Sequence, residues 1–332
     1  MRVLVTGGCG FIGSNFIKYI LGGDVEKDTE VVVNLDKQTY AGQGKNLEHM
    51  GVASDPRYFF VKGDICDKKL VEQVFQEYKP DLVFHFAAES HVDRSIDKSD
   101  PFSETNMGGT QTLLDAAKTH GVKRFIQIGT DEVYGSLSGN DASSTEKDLL
   151  KPRSPYSASK AAADLLALSY YHTHQLPVIV TRSSNNYGPY QFPEKLLPLF
   201  ITNLIQGKKV PLMWNDENPG LNVRDWLHVE DNCRAIWLVS RKGEVGEIYN
   251  IAGDNERTNI HMTNLLLDYF GVGEEMIEKI PHRLGHDFRY SINDSKLKAL
   301  GFQQKHPRVE DAIRQLCKWH EENKDWWEPL KK

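Results

Sequence analysis

At 332 residues the chain is long enough for one large domain or two intimately joined ones, and a content of 39% hydrophobic and 26% charged residues is that of an ordinary globular protein. A formal net charge of −6 argues against nucleic acid or an anionic membrane as the partner. The four cysteines, Cys9, Cys66, Cys233 and Cys317, form no CxxC pair, which reads as reduced thiols in a cytoplasmic protein, with neither a disulfide scaffold nor a metal site expected. No apolar run approaches the roughly 20 residues that span a bilayer, and the first residues lack the apolar core of a secretory signal.

The first apolar run, Val3 to Thr6, reads as a buried strand, and Gly7-Gly8-Cys9-Gly10-Phe11-Ile12-Gly13 follows it into a predicted helix over Phe11 to Leu21. Glycines at 7, 10 and 13 give a tight bend, a close approach of backbone to a pyrophosphate, and close helix–sheet packing, while the helix N-terminus offers amide donors to the anion. A second strand, Glu30 to Asp36, ends on an acid about 20 residues past the glycines. A carboxylate there grips both ribose hydroxyls, which favours NAD over NADP. Tyr58 to Ile65 reads as a third strand that carries Asp64 toward an adenine, Leu70 to Tyr78 as an amphipathic helix, and Asp81 to Ala88 as a fourth strand. The small Ala87-Ala88 pair lets a cofactor lie over the strand end. His91, just beyond, is either a catalytic base or a structural loop histidine. Pro101 to His120 reads as one long helix with Asn106, Gly108 and Gly109 inside it.

Arg124 to Gly129 is a further apolar strand, and Thr130-Asp131-Glu132 follows at its carboxyl end, where ligand chemistry sits in open α/β sheets. Neighbouring strand residues point to opposite faces, so both carboxylates serve one pocket only if the chain leaves the strand at Gly129. Two adjacent carboxylates in one dry pocket titrate apart, which an acid/base pair needs. Tyr156 and Lys160 lie four residues apart on a predicted helix, hence on one face about 5–6 Å apart at Cβ. A lysine beside the phenol lowers its pKa and makes it usable as a base. Alternating strands and helices through 182 give the expected fold class: an α/β, Rossmann-like, doubly wound parallel sheet with a smaller interleaved α/β substrate-binding domain.

After Thr181 the pattern changes. Ser183 to Tyr190 reads as a polar, turn-rich loop, Phe192 to Gln206 as a helix, and Glu247 to Ala252 as a strand returning to the main sheet. The expected division is 1–182 with about 221–252 for the dinucleotide-binding domain, and 183–220 with 253–332 for the second. Lys195, Arg224, Asn259, Arg283, His286 and Arg289 are scattered cations and polar groups that suit a small pyrophosphate-bearing ligand if the fold brings them together, each being otherwise a surface group. Arg224 is set among apolar residues in Asn222-Val223-Arg224-Asp225-Trp226 and needs a partner. Residues from about Pro307 to Glu322 read as a C-terminal helix, with Trp326-Trp327 as packing residues.

The glycine turn, Asp36, Thr130-Asp131-Glu132 and Tyr156-xxx-Lys160 resemble the extended short-chain dehydrogenase/reductase family of nucleotide-sugar enzymes. The strings Leu35 to Gly42, Ala87 to Ile96, Thr130 to Gly135, Pro155 to Lys160, Ser184 to Lys195, Asn222 to Trp226 and Gly285 to Asp287 are more narrowly similar to the dTDP-glucose 4,6-dehydratases within it. The adjacent Asp-Glu pair is the specific element, since the related epimerases and decarboxylases typically lack it. The resemblance implies a lyase with tightly held NAD, a dTDP-glucose substrate and a homodimer. It implies catalytic roles for Thr130, Asp131, Glu132, Tyr156 and Lys160. The cofactor is expected on Gly7, Gly10, Phe11, Ile12, Gly13, Asp36, Lys37, Thr39, Gly42, Asp64, Ile65, Ala87, Ala88, Ser90, Thr105, Tyr156 and Lys160. The nucleotide sugar is expected on Ser90, Thr130, Asn185, Lys195, Leu196, Arg224, Asn259, Arg283 and His286. Four departures from the family pattern stand out: a longer Pro211–Gly220 loop, His228 where a Tyr is common, Leu284 where a Pro is common, and Cys9 where an Ala is usual in the glycine turn.

Overall fold

The computed structural model describes residues 1–331 apart from 23, 24, 26–28 and 43. Strands and helices alternate first as β1 (Arg2–Thr6), α1 (Phe11–Leu21), β2 (Val31–Asp36), α2 (Lys45–His49), β3 (Tyr58–Lys62), α3 (Lys68–Tyr78) and β4 (Leu82–His85). Next come α4 (Val92–Asp97), α5 (Asp100–Ser103), α6 (Thr110–Thr119), β5 (Arg124–Thr130), α7 (Pro155–His174) and β6 (Val178–Ser183). The remainder holds β7 (Asn185–Tyr187), α8 (Leu196–Ile205), β8 (Val210–Met213), β9 (Val223–His228), α9 (Val229–Lys242), β10 (Ile248–Ile251) and β11 (Glu256–Thr258). It closes with α10 (Asn259–Phe270), β12 (Ile277–Ile280), α11 (Ser295–Ala299), α12 (Val309–Glu322) and α13 (Lys324–Trp327).

Among the described residues, seven strands form the main sheet in the order β10-β6-β5-β4-β1-β2-β3, and every neighbouring pair in it is parallel. Its strands are apolar on both faces because helices cover both. Alternation sorts the side chains: Val3 and Val5 of β1 join Phe16, Ile17 and Ile236 under α1 and α9, while Leu4 joins Val71, Phe75 and Leu113 under α3 and α6. β1 is flanked by β4 on one side and β2 on the other, so the winding direction reverses there. That is the crevice in which open α/β sheets bind ligands.

A second, smaller core of Tyr187, Leu197, Phe200, Trp226, Met262 and Ile313 gathers α8, α10 and α12 around a three-stranded sheet, β11-β9-β7. The segment 221–252 divides between the two layers. β9 belongs to the small sheet, whereas α9 packs beneath α1 and β10 pairs with β6 at the edge of the main sheet. Trp326 ties the layers together, its Nε1 donating to Asn46 Oδ1 of α2 at 2.9 Å, while Trp327 Nε1 donates within the C-terminal segment to the carbonyl of His320 at 2.8 Å.

Several expectations from the sequence are corrected. The helix over 101–120 contains a wide π-helical stretch, Glu104–Gly109, between α5 and α6. Its cause is packing. Asn106 there accepts from Glu89 N at 2.9 Å and donates to Glu89 O and Ser159 Oγ, and a Cβ at Gly109 would stand 2.4 Å from Ile65 Cδ1. The loop expected over 183–190 contains β7, because Asn185 to Tyr187 pair in parallel with Trp226 to His228, a tertiary pairing that polar side chains do not announce. The loop expected over 211–220 begins inside β8, which pairs with β12. The helix expected from Phe192 starts at Leu196.

Near the carboxyl end of β5, Asp164 of α7 and Arg182 of β6 form a fully buried ion pair at 2.9 Å, and Arg182 also donates to Tyr134 Oη at 2.9 Å. Removing one partner strands the other charge in a dry site. Asp164→Ala is expected to lose about 3–5 kcal/mol in chemical denaturation, and the paired Asp164→Leu/Arg182→Met replacement much less. A single-variant loss under about 1 kcal/mol would show that the pair is not a structural dependence.

Candidate active site

A long, solvent-open cleft runs along the carboxyl ends of β1, β2, β4 and β5. At its inner end Gly7 has φ +73°, and a Cβ on it would stand 2.6 Å from Ala87 N. A Cβ on Gly13 would stand 2.3 Å from Gly7 O. Only glycine fits either position, and the amides of Phe11, Ile12 and Gly13 open α1 without intrahelical acceptors. This cradle suits a pyrophosphate. Asp36, at the end of β2, accepts from Cys9 N at 2.9 Å and Gln38 N at 2.7 Å, and its burial pushes its pKa up. A carboxylate so fixed suits ribose hydroxyls and repels a phosphate in their place. Lys37 and Asp64 pair at 2.6 Å along the adenosine end. All of the cofactor residues expected from the sequence line this one cleft, so the residues present fit NAD.

At the other end β5 runs one residue further than expected, through Thr130, and a 3₁₀ turn over Asp131–Tyr134 follows. It is this turn, not an exit at Gly129, that puts both carboxylates against the cleft. Thr130 Oγ1 accepts from Glu132 N and donates to Asp131 Oδ1, each at 3.3 Å, while Asp131 Oδ2 is buried with no partner. The two acids differ in environment. Burial, then Glu132 and Asp225, push the Asp131 pKa well up. Glu132 is also raised by burial, but Arg224, Arg283 and Lys195 pull it back.

Tyr156 and Lys160 share one face of α7 and the same cleft. The expected lowering of the phenol is not found. Burial, Glu132 and Asp131 raise the Tyr156 pKa, and the neighbouring Thr130 hydroxyl only partly offsets them. Lys160 Nζ instead donates to the carbonyl of Ile128 at 2.6 Å, and burial lowers its pKa against the pull of Asp164.

Ser90, Thr130, Asn185 and Lys195 line the cleft as expected for the substrate half, and Lys195 Nζ reaches Ser90 O at 3.5 Å. Leu196, Arg224, Asn259, Arg283 and His286 lie outside its lining. Arg224 donates to the carbonyls of Val223, Asp287 and Phe288 and stacks 4.5 Å from the Tyr290 ring centroid, the partner its sequence context demanded. Arg283 pairs with Asp93 at 3.0 Å. His286 sits near both arginines, which with burial push its pKa down to about 3, and its Nδ1 meets His282 Nδ1 at 3.0 Å. Asn259 opens α10, buried, with Oδ1 unpartnered. Leu196 opens α8 and packs on the small core. His91 precedes α4 outside the cleft lining, 3.5 Å from Glu194, which favours the loop-histidine reading over the catalytic base. Glu89, Gln191, Phe192 and Glu194 line the cleft without having been singled out. Glu194 carried one signal, an acid immediately before Lys195.

The sequence matches the family model described as GDP-mannose 4,6 dehydratase over residues 4–316. The chain belongs to that family. It is 48% identical to a dTDP-glucose 4,6-dehydratase from Streptomyces niveus, over all of this chain and 96% of that one. A solved dTDP-glucose 4,6-dehydratase from Streptomyces venezuelae, with NAD and TYD bound, superposes with a TM-score of 0.94 at 47% identity, and both chains are covered in full. A UDP-glucose 4-epimerase from Thermus thermophilus, in complex with NAD, gives 0.87 at 28% identity over 97% of this chain and all of that one. The nucleotide-sugar fold is thus shared broadly, and the stronger likeness is to dehydratases.

A carboxyl whose pKa rises on folding keeps its proton while the unfolded chain loses its own. Folding stability therefore falls as pH rises past the ordinary carboxylate value of about 4. Asp131→Asn is expected to leave Tm almost unchanged near about pH 4 and to raise it near about pH 8, measured by calorimetry against the unaltered chain. A difference that does not vary with pH would contradict the raised Asp131 pKa.

Proposed function

We propose that this chain is an NAD-dependent hydro-lyase that converts dTDP-glucose to dTDP-4-keto-6-deoxyglucose. The observation that carries this reading is the pair Asp131 and Glu132 in one cleft with Tyr156, one acid held toward its protonated form and the other flanked by cations. An epimerase or decarboxylase has no leaving hydroxyl at carbon 6 and no use for a protonated Asp131.

Tyr156 takes the proton from the 4-hydroxyl of the sugar, with Thr130 hydrogen-bonded to the same oxygen and favouring the phenolate. Bound NAD supplies a reversible hydride store, accepting from carbon 4 and giving back at carbon 6, so no net redox change results. The 4-keto group acidifies the proton on carbon 5, and Glu132 removes it. Asp131 gives its proton to the 6-hydroxyl, which leaves as water. Glu132 then returns a proton to carbon 5. Lys160 is fixed by the Ile128 carbonyl beside the nicotinamide ribose. Gly7, Gly10, Phe11, Ile12, Gly13 and Asp36 hold the rest of the cofactor. Ser90, Asn185 and Lys195 face the sugar, while Arg224 and Arg283 act on it through the charge of Glu132.

The active species is a homodimer, with Met107 and Leu165 exposed on the helical faces that pair. Its site is the cytoplasm, in keeping with four free cysteines. No helix among the described residues is long and apolar enough to cross a membrane.

Incubation with dTDP-glucose and, separately, UDP-glucose is expected to give loss of water from the first alone, read by mass spectrometry. Deuterium placed at carbon 4 should appear at carbon 6. Asp131→Asn and Glu132→Gln should each slow dehydration by about 10²–10⁴-fold, with reduced cofactor accumulating in Asp131→Asn because oxidation at carbon 4 survives. Water loss unaffected by either change, or deuterium retained at carbon 4, would contradict the assignment.

A further inference from the structure

At the junction of β9 and α9, away from the cleft, His228 and Glu230 meet His306 from the loop that precedes α12. Each offers one ligand atom, and these atoms all lie within 4.8 Å of one another. We propose that His228, Glu230 and His306 form a binding site for a borderline divalent cation of the zinc class, a role separate from the dehydration. Two imidazoles and one carboxylate are the donor set such ions take with a fourth position left to water. Ligand bonds of about 2.0–2.2 Å need the donors a little closer than they stand, a change that side-chain rotation supplies.

The backbone around the three groups is already fixed. His228 precedes the first turn of α9, where its Nδ1 accepts from Glu230 N at 3.3 Å. The buried Asp231 accepts from Lys305 N at 2.7 Å and His306 N at 2.8 Å, which staples the His306 loop to that same turn. The two rings stand 3.9 Å apart at their centroids. His306 Nε2 lies 2.9 Å from Glu230 Oε2, and the Lys305 ammonium lies 2.6 Å from Oε1, so the carboxylate already holds one cation. The helix N-terminus and Lys305 oppose a cation, and Glu230 and Asp231 in the first turn offset the helix. Lys305 is then the competitor that the ion displaces. None of the three ligands lines the catalytic cleft. In sequence His306 is far from the other two, which is why no metal motif was legible.

The test is calorimetric titration of the chelator-treated full-length protein with Zn²⁺, and with Co²⁺ as a visible-absorbing probe. One equivalent per chain is expected, with a rise in Tm. His228→Gln and His306→Gln should each weaken it by about tenfold or more, and Lys305→Met should strengthen it by removing the competing ammonium. Absence of saturable binding, or binding that all three substitutions leave unchanged, would overturn the proposal. If the histidine variants do not fold, Lys305→Met decides alone: unchanged affinity overturns the site.

Discussion

Asp131 and Glu132 are consecutive in the chain at the buried end of β5, so distance cannot separate their charges and environment must. The separation is built from three sides. Thr130 holds the turn by hydrogen bonds to both residues. Asp225, on β9, adds negative potential to Asp131; Arg224, its neighbour in sequence, favours the charged form of both acids, and on Glu132 it is joined by Arg283 and Lys195. Asp225 is itself fixed by accepting from Gly253 N and Asn255 N, so the small sheet is an electrostatic part of the site.

The remaining architecture brings ligands to that pair. Reversal of winding at β1 opens the crevice, and the glycine turn lets the backbone approach a pyrophosphate. The π stretch before α6 carries Asn106 to the Glu89 backbone and Ser159, fixing the loop after β4 to the helix that carries Tyr156 and Lys160. Burial at this end raises the phenol and lowers the ammonium. Both shifts favour uncharged forms, so the site stores its reactivity in groups that ionise only against a suitable ligand.

What was legible in the sequence was local. Gly7, Gly10, Gly13 and Asp36 follow from one strand–turn–helix and the strand after it, and Tyr156 with Lys160 follows from helical spacing. Each of these holds within a few residues of chain. The substrate half was legible as residue types but not as a surface, because Arg224, Asn259, Arg283 and His286 reach their places through β9, α10 and the loop before Tyr290. Arg224 spends its hydrogen bonds on carbonyls of that loop. The direction of the Tyr156 shift was misjudged for the same kind of reason: helical spacing shows that a lysine is near, but not that Lys160 turns to the Ile128 carbonyl while two carboxylates face the phenol. Asn185 to Tyr187 became a strand only because β9 offered a partner.

The central claim is that Asp131 is held further toward its protonated form than Glu132. Infrared spectroscopy of the protein reads this directly through the carbonyl stretch of a protonated carboxyl group. The account expects such a band near neutrality that disappears in Asp131→Asn and persists in Glu132→Gln. A band lost only in Glu132→Gln, or none at all, would contradict the division of roles between the two acids.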